Sequence, residues 1–149
     1  MKNKITALVL LTLVVTTSAF ATNTGDNVNQ KAANTFSQKF TNAKEVSWSK
    51  TDNYVKASFT INEQVLFAYF SQAGELMAVS RNIMVSALPI NLQTSLKKDY
   101  PATWISELTE FATDDETVYY VTVENADQKT TLKSIGTHTW TIQKNLKKS

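Results

Sequence analysis

The sequence has 149 residues, with 15 basic residues against 13 acidic ones, a single histidine and no cysteine. The lack of cysteine excludes disulfides, thiolate metal ligands and cysteine nucleophiles. The charges are nearly balanced, at a formal net charge of only +2, and form no basic stripe, which argues against nucleic-acid binding because neutralisation of phosphates supplies most of the affinity in such proteins.

The first 21 residues have the three parts of a secretory signal peptide. Lys2 and Lys4 precede an apolar stretch over residues 5–15, and the small-x-small ending Ala19-Phe20-Ala21 follows. A membrane-spanning helix needs ~20 apolar residues, which this stretch does not supply. We therefore predict cleavage after Ala21 (signal peptide 1–21) and a mature protein, periplasmic or secreted, without a transmembrane segment. Removal of the two lysines leaves the mature chain formally neutral.

The first half of the mature chain predicts one helix and four strands. Residues 22–30 are polar and predict a flexible leader. Ala32, Ala33, Phe36 and Phe40 then recur at the spacing of one helical face. Four segments with strand-like patterns follow, separated by turn residues such as Thr51-Asp52-Asn53 and Gln72-Ala73-Gly74. These segments are 45–49, 54–61, 65–70 and 75–81.

The second half repeats this order. A second helix is predicted to open near Ser86 as the N-cap, with Pro89 in its first turn. Its apolar stripe consists of Leu88, Leu92, Leu96 and Tyr100. Four more strand-like segments follow at 104–110, 117–124, 129–135 and 138–144.

The two halves resemble each other in sequence. Residues 54–64 align with residues 118–128 without a gap, and Phe36 and Phe40 have the same spacing as Leu96 and Tyr100. The chain is therefore predicted to contain a tandem repeat of one αββββ unit. The two repeats, about 31–84 and 85–149, would form a single domain over residues 31–149.

The chain contains the stretch FTNAKEVSWSKTDNYVKASFTINEQVLFAYFSQAGELMAVSRNI, followed by LPINLQTSLKKDYPATWI. This sequence resembles the PepSY-like or β-lactamase-inhibitor-like family of small exported bacterial proteins. The features that carry the resemblance are an aromatic residue, a short Asn-Ala link and Val-x-Trp, then Gly-Glu-Leu and a helix that opens with Leu-Pro. The resemblance covers essentially the whole mature chain. It implies an α+β fold in which tandem αββββ units share a curved antiparallel sheet, with helices packed on one face. In the inhibitors that name the family, the open concave side of the sheet grips a protein partner, but no inhibitory motif carries over residue by residue.

The alternation within the strands predicts a candidate binding face. If the helices cover the side that carries Val55, Ala57 and Phe59, the opposite side of the sheet is open. Segment 65–70 is apolar on both sides and would add aromatic residues to the open side. An aromatic-rich patch on an otherwise polar sheet is typical of protein-binding surfaces. The residues predicted to contact a partner are Tyr54, Lys56, Phe67, Tyr69, Tyr120 and Thr122.

A purely structural interpretation of these aromatic residues competes with the binding interpretation. Strands favour aromatic side chains for packing alone, and tyrosines stack across strands without binding anything. Trp48, Trp104 and Trp140 are accordingly predicted to be core or edge residues rather than ligand anchors.

No catalytic or metal-binding motif is recognisable in the sequence. His138 is predicted in a solvent-facing turn at the start of the last strand, and the single histidine leaves no paired base for a nucleophile. The acidic cluster Asp114-Asp115-Glu116 lacks the spaced ligands of a calcium loop and is predicted to be a hairpin tip. We therefore predict a protein that is not an enzyme and has no cofactor and no metal.

Several functions stay compatible with these patterns. The preferred hypothesis is a non-enzymatic exported binding module, inhibitor-like, that binds an envelope protein through the open face. The alternative is a small-molecule carrier or sensor, which predicts a closed aromatic pocket of a few hundred Å³ between sheet and helices. An enzyme whose site the sequence does not reveal, and a structural protein without a ligand, complete the set.

Overall fold

The computed structural model describes residues 29–148, which form two α-helices and eight strands. Helix α1 is Gln30–Lys39 and helix α2 is Ile90–Asp99. The strands are β1 Lys44–Lys50, β2 Val55–Ile61, β3 Gln64–Phe70, β4 Leu76–Asn82, β5 Trp104–Ala112, β6 Thr117–Glu124, β7 Gln128–Ile135 and β8 Thr141–Lys147. The predicted signal peptide and residues 22–28 of the predicted leader lie outside the described residues.

All eight strands form one antiparallel sheet, in which each strand pairs with the next one along the chain. Within each half the connections are short, because antiparallel neighbours run in opposite directions, whereas the connection between β4 and β5 contains α2. The sheet registers place the core residues of both halves on one side, under α1 for β1–β4 and under α2 for β5–β7. The order is αββββ-αββββ, which confirms the predicted α+β fold with helices on one face.

The first hairpin of each half closes with the same hydrogen bonds. The N–H of Thr51 donates to the carbonyl of Tyr54 at 2.9 Å, and the Thr51 hydroxyl accepts the N–H of Tyr54 at 3.1 Å. Thr113 makes the same two bonds with Glu116, at 2.9 and 3.1 Å. The acidic residues 114–116 thus form a hairpin tip, as the sequence predicted.

Helix α1 is fixed by a cap at its start and by an aromatic cluster beneath it. The side-chain oxygen of Asn29 accepts the N–H of Lys31 at 2.9 Å and satisfies a free donor of the first turn. The buried ring of Phe36 lies 5.0 Å from the ring of Phe59 and 5.2 Å from that of Trp48, both edge-on. Trp48 therefore packs against the core, as predicted, and residues 29 and 30 of the predicted leader belong to the cap and the helix.

Helix α2 begins later than the sequence predicted, so the predicted N-cap at Ser86 is wrong. Residues 85–87 form a short 3₁₀ turn, and Leu88 follows in extended conformation with its side chain buried. Pro89 is the N-cap, where its ring restricts φ and no side-chain hydrogen bond forms. The chain needs this extended step because Leu88 has to reach the core below the helix.

The second core lies between α2 and strands β5–β7. Its buried residues are Leu88, Leu92, Leu96, Leu108, Tyr119, Val121, Val123 and Leu132. The half-buried Trp140 packs against this cluster, and its Nε1–H donates to the carbonyl of Leu92 at 3.1 Å. Trp140 is thus a structural residue, as predicted, because its ring packs on the core and its indole N–H bonds to the backbone of α2.

Most strand ends lie within one residue of the prediction, but the last strand and the end of β5 differ by more. The last strand begins at Thr141 rather than at residue 138, since Gly136 has a φ of +58° and starts a turn that includes His138. The Ser134 hydroxyl donates to the carbonyl of His138 at 2.6 Å and holds this turn. Strand β5 continues to Ala112, two residues beyond its predicted end, and so includes Phe111.

Candidate partner-binding face

The sheet has one side covered by the helices and one side that neither helix covers. In the β2–β3 register, Ala57 pairs with Ala68 on the covered side, whereas Lys56 pairs with Tyr69 on the other side. The uncovered side, which we call the open face, carries Tyr54, Lys56, Phe67, Tyr69, Tyr120 and Thr122. The structure therefore places all six predicted contact residues on one face.

Four aromatic rings form a continuous row across the open face. The ring centroid of Tyr69 lies 5.5 Å from that of Tyr54 and 5.7 Å from that of Phe111. Phe111 in turn lies 5.5 Å from Tyr120, edge-on. These separations fall in the range at which aromatic pairs attract one another. The aromatic row, defined as these four residues, connects β3 with β5 and β6, and Tyr54 lies just before β2.

Small side chains on β4 make this row continuous. Tyr69 on β3 pairs with Ala78 on β4, and Phe111 on β5 pairs with Ser80 on β4. Strands two positions apart are ~9.6 Å apart in a sheet, so two rings meet at 5.7 Å only by leaning over the intervening strand. A large side chain at Ala78 or Ser80 would occupy that space. The Ser80 hydroxyl also lies 3.5 Å from the Tyr69 hydroxyl.

The aromatic row borders a shallow cavity on the open face. The cavity has a volume of about 600 Å³ and opens to solvent. Its lining includes Phe67, Tyr69, Ala78, Phe111, Val118 and Tyr120. A volume of this size matches that of small binding pockets, and an open mouth lets a side chain or loop of another protein enter.

Two lysines flank the aromatic residues on the open face. The Nζ of Lys56 lies 5.2 Å from the ring centroid of Phe67, and the Nζ of Lys133 lies 5.9 Å from that of Tyr120. Cation–π contacts at these distances hold an ammonium group against a ring without removing it from solvent. Both lysine head groups are therefore positioned beside the cavity.

Thr122 is on the predicted face, but the residue is only 4% exposed. Its hydroxyl lies 3.3 Å from the hydroxyl of Thr131 on β7. Thr122 forms part of the cavity floor and presents little surface to a partner. Tyr54, Lys56, Phe67, Tyr69 and Tyr120 are half-buried and retain accessible surface.

Phe111 is the residue of the aromatic row that the sequence analysis did not select. The predicted strand stopped at residue 110, so the alternation that places Phe111 with Thr109 on one face was not continued far enough. The Thr113 hairpin that ends the strand at Ala112 has the same form as the Thr51 hairpin. That internal similarity is the signal that extends β5 to Phe111.

A charged cluster lies at the end of the open face near the C-terminus. Glu124 accepts the ammonium of Lys148 at 2.8 Å and that of Lys129 at 3.2 Å. Hydrogen bonds from Lys148, then Ser106 and Lys129, lower the pKa of Glu124 to about 2. The Nζ of Lys148 also lies 4.6 Å from the ring centroid of Trp104, the first residue of β5, which is 53% exposed and belongs to neither core cluster.

Two further cavities do not include the aromatic row in their lining. One, of about 530 Å³, runs beside α2 between Ile90, Tyr100 and Ile105. The other, of about 950 Å³, is lined mainly by polar residues around the β1 bulge at Glu45. Both open to solvent. The space between the helices and the sheet is instead filled by the two core clusters.

The described residues contain little that would support catalysis. His138 is exposed, and its Nδ1 lies 2.6 Å from the carbonyl of Ile135 in its own turn. Within residues 29–148, no three histidine or acidic side chains come together as a metal site. Neither of the helices in that part of the chain is long and apolar enough to cross a membrane.

No protein-family model matches the sequence, and no curated protein matches it. Solved structures do match the fold. A BLIP-like (β-lactamase-inhibitor-like) protein from Bacteroides fragilis NCTC 9343 superposes with a TM-score of 0.71 at 15% identity, over 85% of this chain and 92% of that chain. A DUF2874 family protein from Bacteroides ovatus ATCC 8483 has a TM-score of 0.71 at 19% identity, over 83% and 89% of the two chains.

A third structure is that of a Bacteroides eggerthii DSM 20697 protein provisionally described as periplasmic. It has a TM-score of 0.72 at 10% identity and covers 81% of this chain and 89% of that chain. Identities this low establish the fold alone, because one fold serves many functions. The predicted resemblance to β-lactamase-inhibitor-like proteins is thus confirmed as a shared architecture.

Proposed function

We propose that this protein is an exported, non-enzymatic binding module that grips another envelope protein with the open face of its sheet. The observation that carries the proposal is the aromatic row, Tyr54–Tyr69–Phe111–Tyr120, on a face that neither helix covers. Tyrosine and phenylalanine lose little conformational entropy on binding and bury large rigid surfaces. In this proposal the tandem repeats, about 31–84 and 85–149, act as one domain that follows the signal peptide.

The packing of the row supports a binding role in addition to a structural one. The two hydrophobic cores on the other side of the sheet already hold the fold together. The rings of Tyr69 and Phe111 instead contact each other across β4 and border a cavity of about 600 Å³. Rings that are held by one another, yet open to solvent, form a preorganised surface that needs little rearrangement on binding.

The small-molecule alternative has less support. It predicts a closed aromatic pocket between sheet and helices, but that space holds packed side chains, including Phe36 and Phe59 under α1 and Leu92 under α2. The match to a BLIP-like protein adds weight to protein binding by analogy of fold. An inhibitor-like action, in which the gripped protein is an enzyme, is the finer form of this proposal.

The test is a pull-down from an envelope extract of the source organism with the exported protein as bait. A second bait carries Tyr69→Ala and Phe111→Ala. A control bait carries Met84→Ala and Ile90→Ala, which remove exposed apolar side chains (78% and 76% exposed) that belong neither to the aromatic row nor to the lining of the cavity beside it. Circular dichroism verifies that all three baits fold.

We expect a specific protein that the wild-type and control baits retain and the Tyr69/Phe111 bait loses. Removal of aromatic hot-spot residues typically lowers the affinity by about tenfold or more. Equal retention by all three baits, or capture that depends on Met84 and Ile90 instead, would refute the open face as the binding site.

A further inference from the structure

The charges on the open face are unevenly distributed. The registers of the sheet place five lysines and two glutamates at open-face positions of the strands. These residues are Lys44, Lys56, Lys129, Lys133, Lys144, Glu107 and Glu124. Lys148 adds another positive charge to the same face, since its ammonium lies over Trp104. The whole sequence has nearly balanced charges, so this excess is a local property of the open face.

These two glutamates, together with Glu45 at the β1 bulge, whose carboxylate accepts the hydroxyl of the open-face Thr60 at 3.0 Å, do not neutralise the face. Glu124 is already held between Lys129 and Lys148, at 3.2 and 2.8 Å. Glu107 is left to balance the lysines beside the aromatic row. Among residues 29–148, neither Lys56 nor Lys133 forms an ion pair with a carboxylate. Both have their ammonium groups over aromatic rings, where they remain able to bind an anion.

We propose that the partner contacts the open face with an acidic segment, in which carboxylates flank aromatic or apolar residues. This inference rests on the proposed function and adds the chemistry of the partner. The aromatic row takes the apolar residues of the segment, and Lys56 and Lys133 bind carboxylates on its two sides. Opposite charges at the rim of an interface speed association and select the partner.

The geometry sets the length of such a segment. Lys56 is on β2 and pairs with Tyr69, whereas Lys133 is on β7 and pairs with Tyr120. Five strand spacings of ~4.8 Å separate β2 from β7, so the two lysines are ~24 Å apart along the sheet. An extended chain advances ~3.3 Å per residue, so about seven residues lying across the strands reach from one lysine to the other.

The test uses a phage-displayed library of random 12-residue peptides, panned against the full exported protein. Enriched peptides are then synthesised, and their Kd is measured for four proteins by fluorescence polarisation. These are the wild type, the double variant Lys56→Glu/Lys133→Glu, the matched control Lys39→Glu/Lys98→Glu, and Phe111→Ala. The control reverses two exposed lysines on the helices, so it has the same net charge as the open-face variant.

We expect the enriched peptides to contain an excess of Asp and Glu around aromatic or apolar residues. The Lys56/Lys133 variant should weaken their binding by about tenfold or more, while the control changes it less than about twofold. Peptides that need Phe111 but carry no acidic excess, or that bind the open-face variant as well as the wild type, would overturn the acidic segment and leave the proposed function intact. Binding that is insensitive to Phe111→Ala would count against both proposals.

Two other outcomes also decide the inference. If the library yields no enriched peptide, an acidic segment of this length is not what the face recognises, and the inference is wrong. Vesicles of phosphatidylglycerol provide the second check. Vesicle binding by the wild type that is lost in the Lys56/Lys133 variant, without enrichment of acidic peptides, would assign the lysines to an anionic lipid surface and overturn the protein segment.

Discussion

The contact between α1 and the β3–β4 hairpin is controlled by one glycine. Gly74 has a φ of +87°, and an added Cβ would lie 2.5 Å from the Cβ of Lys31 and 2.8 Å from the backbone nitrogen of Ala32. Both atoms belong to the rigid first turn of α1 rather than to a flexible side-chain end. We therefore predict that Gly74→Ala displaces the start of α1 from the hairpin.

The expected cost has two parts. An L-residue in the left-handed region costs about 1–2 kcal/mol, and forcing a methyl group into a filled space costs about 1–3 kcal/mol more. The free energy of unfolding of Gly74→Ala should therefore fall by about 2–5 kcal/mol. Displacement of α1 would also strain the hydrogen bond from the Thr35 hydroxyl to the carbonyl of Gly74, now 2.8 Å long.

Gly136 supplies the matched control. Its φ is +58°, but an added Cβ would meet nothing closer than the His138 ring nitrogen at 3.9 Å. Gly136→Ala should thus lose only the conformational part, about 1–2 kcal/mol. Urea denaturation followed by circular dichroism measures the unfolding free energy of both variants and of the wild type. Equal losses at the two glycines, or a smaller loss at Gly74, would refute the argument from the α1 contact.

Two other predictions concern stability. Phe36→Ala should lower the free energy of unfolding by about 3–5 kcal/mol because it opens a cavity between Trp48 and Phe59. Phe40→Ala should lower it less because Phe40 is only half-buried. Equal losses for the two variants in urea denaturation would contradict the central place of Phe36 in the core. Glu124 has a pKa of about 2 in the fold, below its usual value of 4.5, so its ionised form stabilises the fold above pH 4.5 and this contribution is lost as pH falls towards 2. The difference in unfolding free energy between the wild type and Glu124→Gln should therefore shrink between pH 6 and pH 2.5, and a difference independent of pH would argue against the lysine contacts.

Local sequence patterns predicted the elements well where one face of an element is buried. Ala57 and Phe59 alternate with polar residues because β2 has one side against α1, and that alternation can be recognised in the sequence alone. Leu92 and Leu96 mark the buried side of α2 in the same way. The boundaries were less accurate, as at Ser86, because the start of α2 depends on where Leu88 must be buried.

The open face was predictable in its residues but not in its arrangement. Alternation alone assigns Tyr69 and Tyr120 to one side of the sheet, and the two αββββ units set the order of the strands. The contact between Tyr69 and Phe111 is different, because it joins β3 to β5 over the small side chains of β4. No local sequence pattern predicts that contact between the two rings.

The sequence alone determined the order of helices and strands, the duplication and the side of the sheet on which most residues of the well-patterned strands lie, because these follow from hydrophobic periodicity and turn chemistry along the chain. Only the tertiary structure decided which residues meet across strands. It joined four aromatic residues into one row, buried Thr122 beneath its neighbours and gathered lysines of β2 and β7 on one face. Those relations depend on strand register and side-chain size at distant positions, which periodicity does not encode.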